Sequence, residues 1–406
     1  MRVVVIRRVK PLPFGGIIIP LISIIIGILL SALVLYGVGV PPDIYFSTIA
    51  TSFLSPQILR SFVLLTALGA ALILSFSGAV WNIGAEGQMI WGMIGAGYIG
   101  VFVAASSYYI SPSELPIYQA MPGVMILDAS PTKPVISVLH MAPPLGQALM
   151  ILVAILLGGL WALIAGSLKA FLEIDEVAST LILNYIAYFS FNYLVSEPLR
   201  GLSVQAKQFL RTDALHYALR FVRIPVPGTT VTYMEVALAV GVFIIVWFLL
   251  KYTTLGLRLK ILGSNPNALK AAGVSTRKYI IIALTLSGLI AGSVGAMIFG
   301  ANFYRLEKID NIVTPPTQNM GYTAILVSWL SMLDIRAVPV SAYIVAALMQ
   351  AGSELQARLG TGGVSGIVSG SAITYTLIGF VLITFTILRV FTEYELKFVR
   401  GEKSGE

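Results

Sequence analysis

Trp81-Asn82-Ile83-Gly84-Ala85-Glu86-Gly87-Gln88 interrupts a long apolar stretch in which Glu86 is the one charge between Ser61 and Ser113. A carboxylate, two amides and two glycines inside such a run are costly in lipid. A mid-membrane carboxylate costs about 2.5–3.5 kcal/mol on insertion scales, and each unsatisfied backbone group costs more again. The segment therefore belongs inside a protein bundle or beside a water-filled path. The rest of the chain sets that bundle: 57% of residues are hydrophobic and 11% charged, against about 25% charged in a soluble domain. These figures predict an all-α polytopic membrane protein.

A spanning helix needs about 20 apolar residues. About ten candidate spans follow, near 15–39, 58–77, 88–107, 145–168, 177–195, 233–250, 279–302, 319–333, 337–355 and 368–391. The eighth is short, and the second and third are parted only by the Asn82–Gln88 break, so one of these is a candidate half-span. Arg2, Arg7, Arg8 and Lys10 precede the uncharged run Pro11–Pro42. That run exceeds the 7–15 or so apolar residues of a signal-peptide core, and it reads as an uncleaved first membrane helix. Basic residues concentrate on the cytoplasmic side, which places the N-terminus inside. Ten crossings return the C-terminus inside, in agreement with Arg389, Lys397, Arg400 and Lys403.

The expected organisation is a cytoplasmic tail over 1–14, one membrane domain over 15–391 and a cytoplasmic tail over 392–406. Loop 251–278 falls inside with six basic residues and no acid. Loop 106–142, rich in proline, falls outside with Lys133 as its one basic residue. Loop 196–232 also falls outside, yet it holds Arg200, Lys207, Arg211, Arg220 and Arg223. It dissents from the charge rule and is a candidate small folded element. The net charge of +8 is read as membrane topology, not nucleic-acid binding.

Function classes narrow by elimination. No cysteine is present and the histidines are two, His140 and His216, so no catalytic residues, metal ligands or cofactor are assigned. Gly95-Ala96-Gly97-Tyr98-Ile99-Gly100 fits G-x-G-x-x-G but lies in an apolar span without the strand–turn–helix context of a dinucleotide site. It reads as close helix packing, as do the pairs Gly288–Gly292 and Gly366–Gly370. No G-x-x-x-x-G-K-[ST] occurs, so this chain does not hydrolyse nucleotides by a P-loop. In loop 251–278, Asn265 suits an N-cap, Pro266 the first helical position and Gly273 a left-handed C′ position. The expected helix, Pro266–Ala272, is too short to stand alone and calls for a partner surface. Leu172–Val177 opens the fifth span with acids at a helix N-terminus, and Asn184 follows inside it, either as helix-packing glue or as a ligand contact. Gln318, Asn319, Gly321 and Tyr322 follow Pro315-Pro316 and make a second polar, broken helix start. Paired interruptions of this kind point to a midplane site in transporters.

Together these stretches resemble the permease subunits of ABC importers for simple sugars and nucleosides, in the branched-chain permease superfamily. The likeness runs from about residue 58 to 391, nearest to the larger nucleoside-type permeases. Phe76–Gln88 resembles the family signature ending Phe-Asn-Ile-Gly-Ala-Glu-Gly-Gln, with Trp81 in place of the usual Phe or Leu. Asp175–Ile186 resembles Asn-Glu-Val-Ile-Ser-Thr-Ile-Met-Leu-Asn-Tyr-Ile, with Glu176 and Asn184 in matching places, and Thr254–Val274 resembles the cytoplasmic coupling segment. Ile325–Ser331 is bulkier than the family's small-residue stretch, and loop 106–142 is longer than usual.

The resemblance implies a plasma-membrane subunit pairing with a second permease, a paralogue rather than a copy of itself. Two ABC ATPase subunits or domains and an extracytoplasmic substrate-binding lipoprotein complete the importer. It implies a substrate path at Asn82, Glu86, Gln88, Asn184, Asn319 and Tyr322, and ATPase coupling at Asn265, Pro266, Ala268, Ala271, Ala272 and Gly273. The alternative is an ion-coupled secondary transporter in which Glu86 carries a proton. A membrane-embedded enzyme is disfavoured because no nucleophile and base cluster.

Overall fold

Glycine decides where this chain packs most tightly. A Cβ on Gly92 would stand 2.2 Å from the Gly292 carbonyl oxygen, and one on Gly292 would stand 2.2 Å from that of Ala154. Three helices therefore touch backbone to backbone at this level, the use of small residues that lipid-embedded helices favour. A computed structural model describes residues 2–7, 15–309, 315–360 and 370–399. Met1, Arg8, Lys10, Arg400, Lys403 and Gly366–Ser369 lie outside the described residues, so the Gly366–Gly370 packing expectation and parts of both expected tails do too.

The order begins with strand β1 (Arg2–Arg7) and helices α1 (Gly15–Gly37), α2 (Pro42–Ser52), α3 (Ile58–Phe76) and α4 (Ala85–Tyr98). Next come β2 (Ala105–Tyr109), α5 (Leu115–Gln119), β3 (Val124–Asp128), β4 (Val135–Leu139), α6 (Pro143–Leu172), α7 (Glu176–Ser196) and α8 (Val204–Gln208). Then follow α9 (Tyr233–Tyr252), α10 (Thr254–Ser264), α11 (Pro266–Ala271), α12 (Thr276–Ile298), α13 (Met320–Leu330), α14 (Val338–Gly360), α15 (Gly370–Glu393) and β5 (Tyr394–Val399). α4 and α12 each continue as a π-helical turn, through Val103 and Phe303.

All ten expected spans carry a helix. Among the described residues, seven helices are long and apolar enough to cross a membrane, and this is a polytopic membrane protein. The other three fall short for physical reasons. α4 begins late because Val80–Gly84 is not helical. α7 carries Asn184, Asn192 and three tyrosines. α13 has 11 residues, about 16 Å at helical rise. The all-helical expectation also needs amending. The proline-punctuated loop 106–142 holds β-prone runs that form an antiparallel sheet of order β2-β4-β3 with a bulge near Ile126 and Asp128, and β1 pairs antiparallel with β5.

The chain divides into two compact units. The first comprises residues 1–58, 329–332 and 343–406. In it Gly27 meets the Val381 backbone, and Thr384 donates to the Ser23 carbonyl at 2.8 Å. Tyr45, 1% exposed, donates to the Ile28 carbonyl at 2.9 Å and bonds Ser31 at 2.6 Å. The second unit comprises residues 59–328 and 333–342, and holds α3, α4, α6, α7 and α9–α12. One end of it carries the α10–α11 loop and the other carries the three-stranded sheet. At the sheet end a capping box, Thr232 with Glu235, starts α9, and the buried Glu235 also receives Arg60 at 2.9 Å.

Two glycine substitutions test the packing. Gly292→Ala drives a methyl group into backbone atoms, and overpacking of this kind costs about 1–3 kcal/mol. Gly241 in α9 has nothing within 4 Å of a built Cβ, so Gly241→Ala is expected to be neutral or slightly stabilising. Thermal unfolding of purified protein in detergent should separate the pair clearly. Equal midpoints would contradict the backbone contact.

Candidate functional site

The polar break lies deep along the helices that surround it. Asn82 donates to Ser287 at 2.9 Å, and Ser287 is eleven residues past Thr276, the first of α12, about 16 Å along the axis. Tyr188, twelve residues into α7 and about 18 Å along it, donates to Glu86 at 3.4 Å. A hydrocarbon core is about 30 Å thick. Ser77–Ala79 sits at the α10 end, since a Cβ on Gly263 would meet the Ser77 carbonyl oxygen at 2.5 Å. Val80–Gly84 thus re-enters to mid-depth, and α4 leaves from there toward the sheet end.

α13 starts at the same depth. The Gly321 N–H donates to Glu86 Oε2 at 2.9 Å, and the Thr317 hydroxyl donates to Glu86 Oε1. Glu86 is in the first turn of α4 and Gly321 in the first turn of α13. One carboxylate therefore serves the positive N-terminal ends of two interrupted helices. Only glycine allows this approach, for a Cβ on Gly321 would lie 2.5 Å from the Glu86 nitrogen. Gln318 and Asn319, just before α13, both hold φ of 54°, a left-handed conformation costing about 1–2 kcal/mol for most residues. It is retained because the turn delivers Thr317 and Gly321 to the carboxylate.

Asn184 ties the two starts together. Its Oδ1 accepts from the Gly87 N–H at 2.8 Å, and its Nδ2 donates to the Ile83 carbonyl and to the Tyr322 hydroxyl, each at 2.9 Å. Asn82 and Gln88 exchange side-chain hydrogen bonds of 3.0 and 2.9 Å, while Asn82 Oδ1 also accepts from the Gly84 N–H at 3.0 Å. The structure thus joins Asn82 to Gln88, and Glu86 to Asn184 through α4, with Tyr322 on Asn184. Asn319 lies in the left-handed turn, its carbonyl oxygen accepting the Thr323 N–H at 3.0 Å. Asn82, Glu86, Gln88 and Asn184 are at most 1% exposed, and Tyr322 is half-buried. In this structure the set forms a closed, satisfied network. Sequence reading did not assign Thr317, Ser287 or Tyr188 to it. The usable signals were Thr317 immediately after Pro315-Pro316 and Ser287 next to the Gly288–Gly292 pair.

The second site is α11. Asn265 Oδ1 accepts the Ala268 N–H at 3.1 Å, Pro266 takes the first position, and Gly273 holds φ of 72°. The helix ends one residue before the expected Ala272, which caps it. Leu269, 3% exposed, anchors it. Asn265, Pro266, Ala268, Ala271, Ala272 and Gly273 are all exposed. Lys169, Glu173, Lys270 and Arg277 rim a groove beside it. Across from it, Asp175 caps α7 and Glu176 pairs with Lys169 at 2.7 Å.

Residues 56–386 match the family described as branched-chain amino acid transport system / permease component. The chain belongs to this permease family. A guanosine ABC transporter permease of Bacillus subtilis is 27% identical over 299 residues, covering 69% of this chain and 71% of that protein. A nucleoside ABC transporter permease of Lactococcus lactis is 24% identical, covering 71% of each chain. A glucose ABC transporter permease of Haloferax volcanii is 23% identical, covering 87% of this chain and 84% of that one. No solved structure matches. The permease is thus an integral plasma-membrane transport subunit of an ABC importer, which works with ATPase and substrate-binding partners. The ion-coupled alternative is set aside by this membership.

The clamp on Glu86 is testable. Glu86→Ala leaves the buried Gly321 N–H without an acceptor, a loss of about 1–3 kcal/mol, whereas Glu86→Gln keeps one acceptor oxygen. The unfolding midpoint should fall more for alanine than for glutamine. Identical midpoints for both variants and the parent protein would show that Glu86 does not hold α13.

Proposed function

We propose that this permease imports nucleosides, as one of two paralogous permease subunits served by two ABC ATPases and a substrate-binding lipoprotein. The observation that carries the reading is the meeting of two broken helix starts at mid-depth on Glu86 and Asn184. Asn82, Glu86, Gln88, Asn184, Asn319 and Tyr322 form the hinge of the path, which opens when α13 and α4 part. The guanosine and nucleoside relatives favour a nucleoside, and the glucose relative keeps a simple sugar as the second reading.

Ten crossings with both termini in the cytoplasm suit the fold. The antiparallel pairing of β1 with β5 supports an even number of crossings, and counting α4, α7 and α13 beside the seven long helices supports ten. Loop 251–278 then faces the cytoplasm by its charge, and α11 is the coupling helix that the ATPases push.

Uptake of radiolabelled nucleoside and aldose by proteoliposomes containing the reconstituted importer decides between the substrates. ATP-dependent uptake of the nucleoside alone is the expected result. In the same assay Ala271→Glu places a charge on the exposed face of α11. It should abolish substrate-stimulated ATP hydrolysis while the protein remains monodisperse. Unchanged transport by Ala271→Glu would remove α11 from the coupling role.

A further inference from the structure

Beside the polar network stands a pair of tryptophans that the network does not use. Trp91 in α4 and Trp161 in α6 pack ring against ring, with centroids 4.9 Å apart and planes inclined at 33°. Trp161 lies eleven residues before Leu172, the last of α6, so it stands about 16 Å from the α10 end of that helix. Ser287 and Asn82 share that depth. The pair also touches the network. A Cβ on Gly87 would lie 3.1 Å from Trp161 Nε1 and 2.9 Å from Asn184 Oδ1, so the indole nitrogen rests against the backbone at the start of α4. Trp91 is one turn beyond Gly87. One turn further, a Cβ on Gly95 would meet Leu157 at 2.9 Å and Val153 at 3.1 Å. The Trp91 ring is thus seated between two glycines of its own helix.

Both indole nitrogens are buried, and among the described residues neither N–H reaches an acceptor. Buried donors are nearly always paired, and the side chains of Asn82, Glu86, Gln88 and Asn184 close by all have partners. Packing alone does not call for these two donors. Phenylalanine or leucine would occupy such a seat without burying an unpaired N–H. Both side chains are only half-buried, so the pair keeps an open edge beside the broken helix starts.

We infer that Trp91 and Trp161 are the base-recognition residues of the path. The inference rests on the nucleoside reading and names the part of the nucleoside that this site takes. An indole offers a broad apolar face for stacking, and every nucleobase has a π-face to meet it. An aldose has none. The indole nitrogen is a donor only, so the pair complements the acceptor edge of a base. A 6-oxopurine presents O6 and N7 as acceptors along one edge, whereas a 6-aminopurine sets a donor beside N7. The donor pair therefore favours the oxo base. A base that enters beside α4 supplies the acceptors that no protein group provides.

The test uses the complete importer in proteoliposomes, with its binding protein saturating. Maximal ATP-dependent uptake of inosine is compared with that of purine riboside, which lacks the 6-oxygen. The binding protein is the same in every sample, so a change in this ratio between variants belongs to the permease. Trp161→Phe keeps an aromatic face and removes the donor. It should lower the ratio of inosine to purine riboside at least about tenfold, because a site that hydrogen-bonds a substrate group discriminates against the analogue without it. Trp91→Phe should lower the ratio in the same direction, and it carries the test if Trp161→Phe fails to fold. A packing role alone would slow both nucleosides alike and leave the ratio unchanged, and that result overturns the inference. If the wild-type importer takes up an aldose and no nucleoside, the nucleoside reading falls and the inference with it. If it takes up inosine and the phenylalanine variants keep the wild-type ratio, the tryptophans alone lose the role.

Discussion

Backbone groups at mid-membrane must find partners inside the protein, and in this permease Glu86 and Asn184 supply several of them. Glu86 accepts the Gly321 N–H at the start of α13, and Asn184 accepts the Gly87 N–H and donates to the Ile83 carbonyl at the start of α4. Unpaired, each of these groups costs several kcal/mol in hydrocarbon. The non-helical stretch Val80–Gly84 and the turn before Met320 therefore exist at that depth only because α7 supplies Asn184 and α4 supplies Glu86. Removing Asn184 takes partners from the start of α4, and removing Glu86 takes the acceptor from the start of α13.

The close contacts around the network serve the same end. A network of short hydrogen bonds tolerates little drift, so the helices carrying it must be held at fixed distance. Gly92, Gly158 and Gly292 bring α4, α6 and α12 to backbone contact, which fixes the position of Ser287 against Asn82. α7 is held by a different device, since its buried face carries Glu176, Ser179, Thr180 and Asn184. It is held at one end by the Asp175 cap and the Lys169–Glu176 pair, and at the other by Asn192, which accepts the Ile309 N–H at 2.7 Å.

Much of this was legible in the residues. The charge and two amides of Asn82–Gln88 marked a break that lipid would not accept, and Asn265, Pro266 and Gly273 marked both ends of α11 within one residue. What sequence could not give was the partner of each polar group. Thr317 and Gly321 lie more than two hundred positions from Glu86, and nothing in their local pattern names that carboxylate. The strands of loop 106–142 were hidden because five-residue β-prone runs between prolines carry little periodicity. The basic loop 196–232, which dissents from the charge rule, folds against residues 304–308, and nothing in its own pattern names those partners.

Physical contiguity links the two ends of the proposed mechanism. α11 is capped at both ends, anchored by Leu269 and follows directly on α10. α10 in turn touches Ser77 and Ala79 through Gly263, whose built Cβ would lie 2.5 Å and 3.1 Å from their backbone atoms. Three residues further on is Asn82, and four beyond that is Glu86. One packed backbone contact and one short extended segment separate α11 from the helix starts. Coupling of this kind requires an element with two arrangements that both sites bias. The left-handed turn at Gln318 and Asn319 lies between the two groups that Glu86 engages, Thr317 and Gly321.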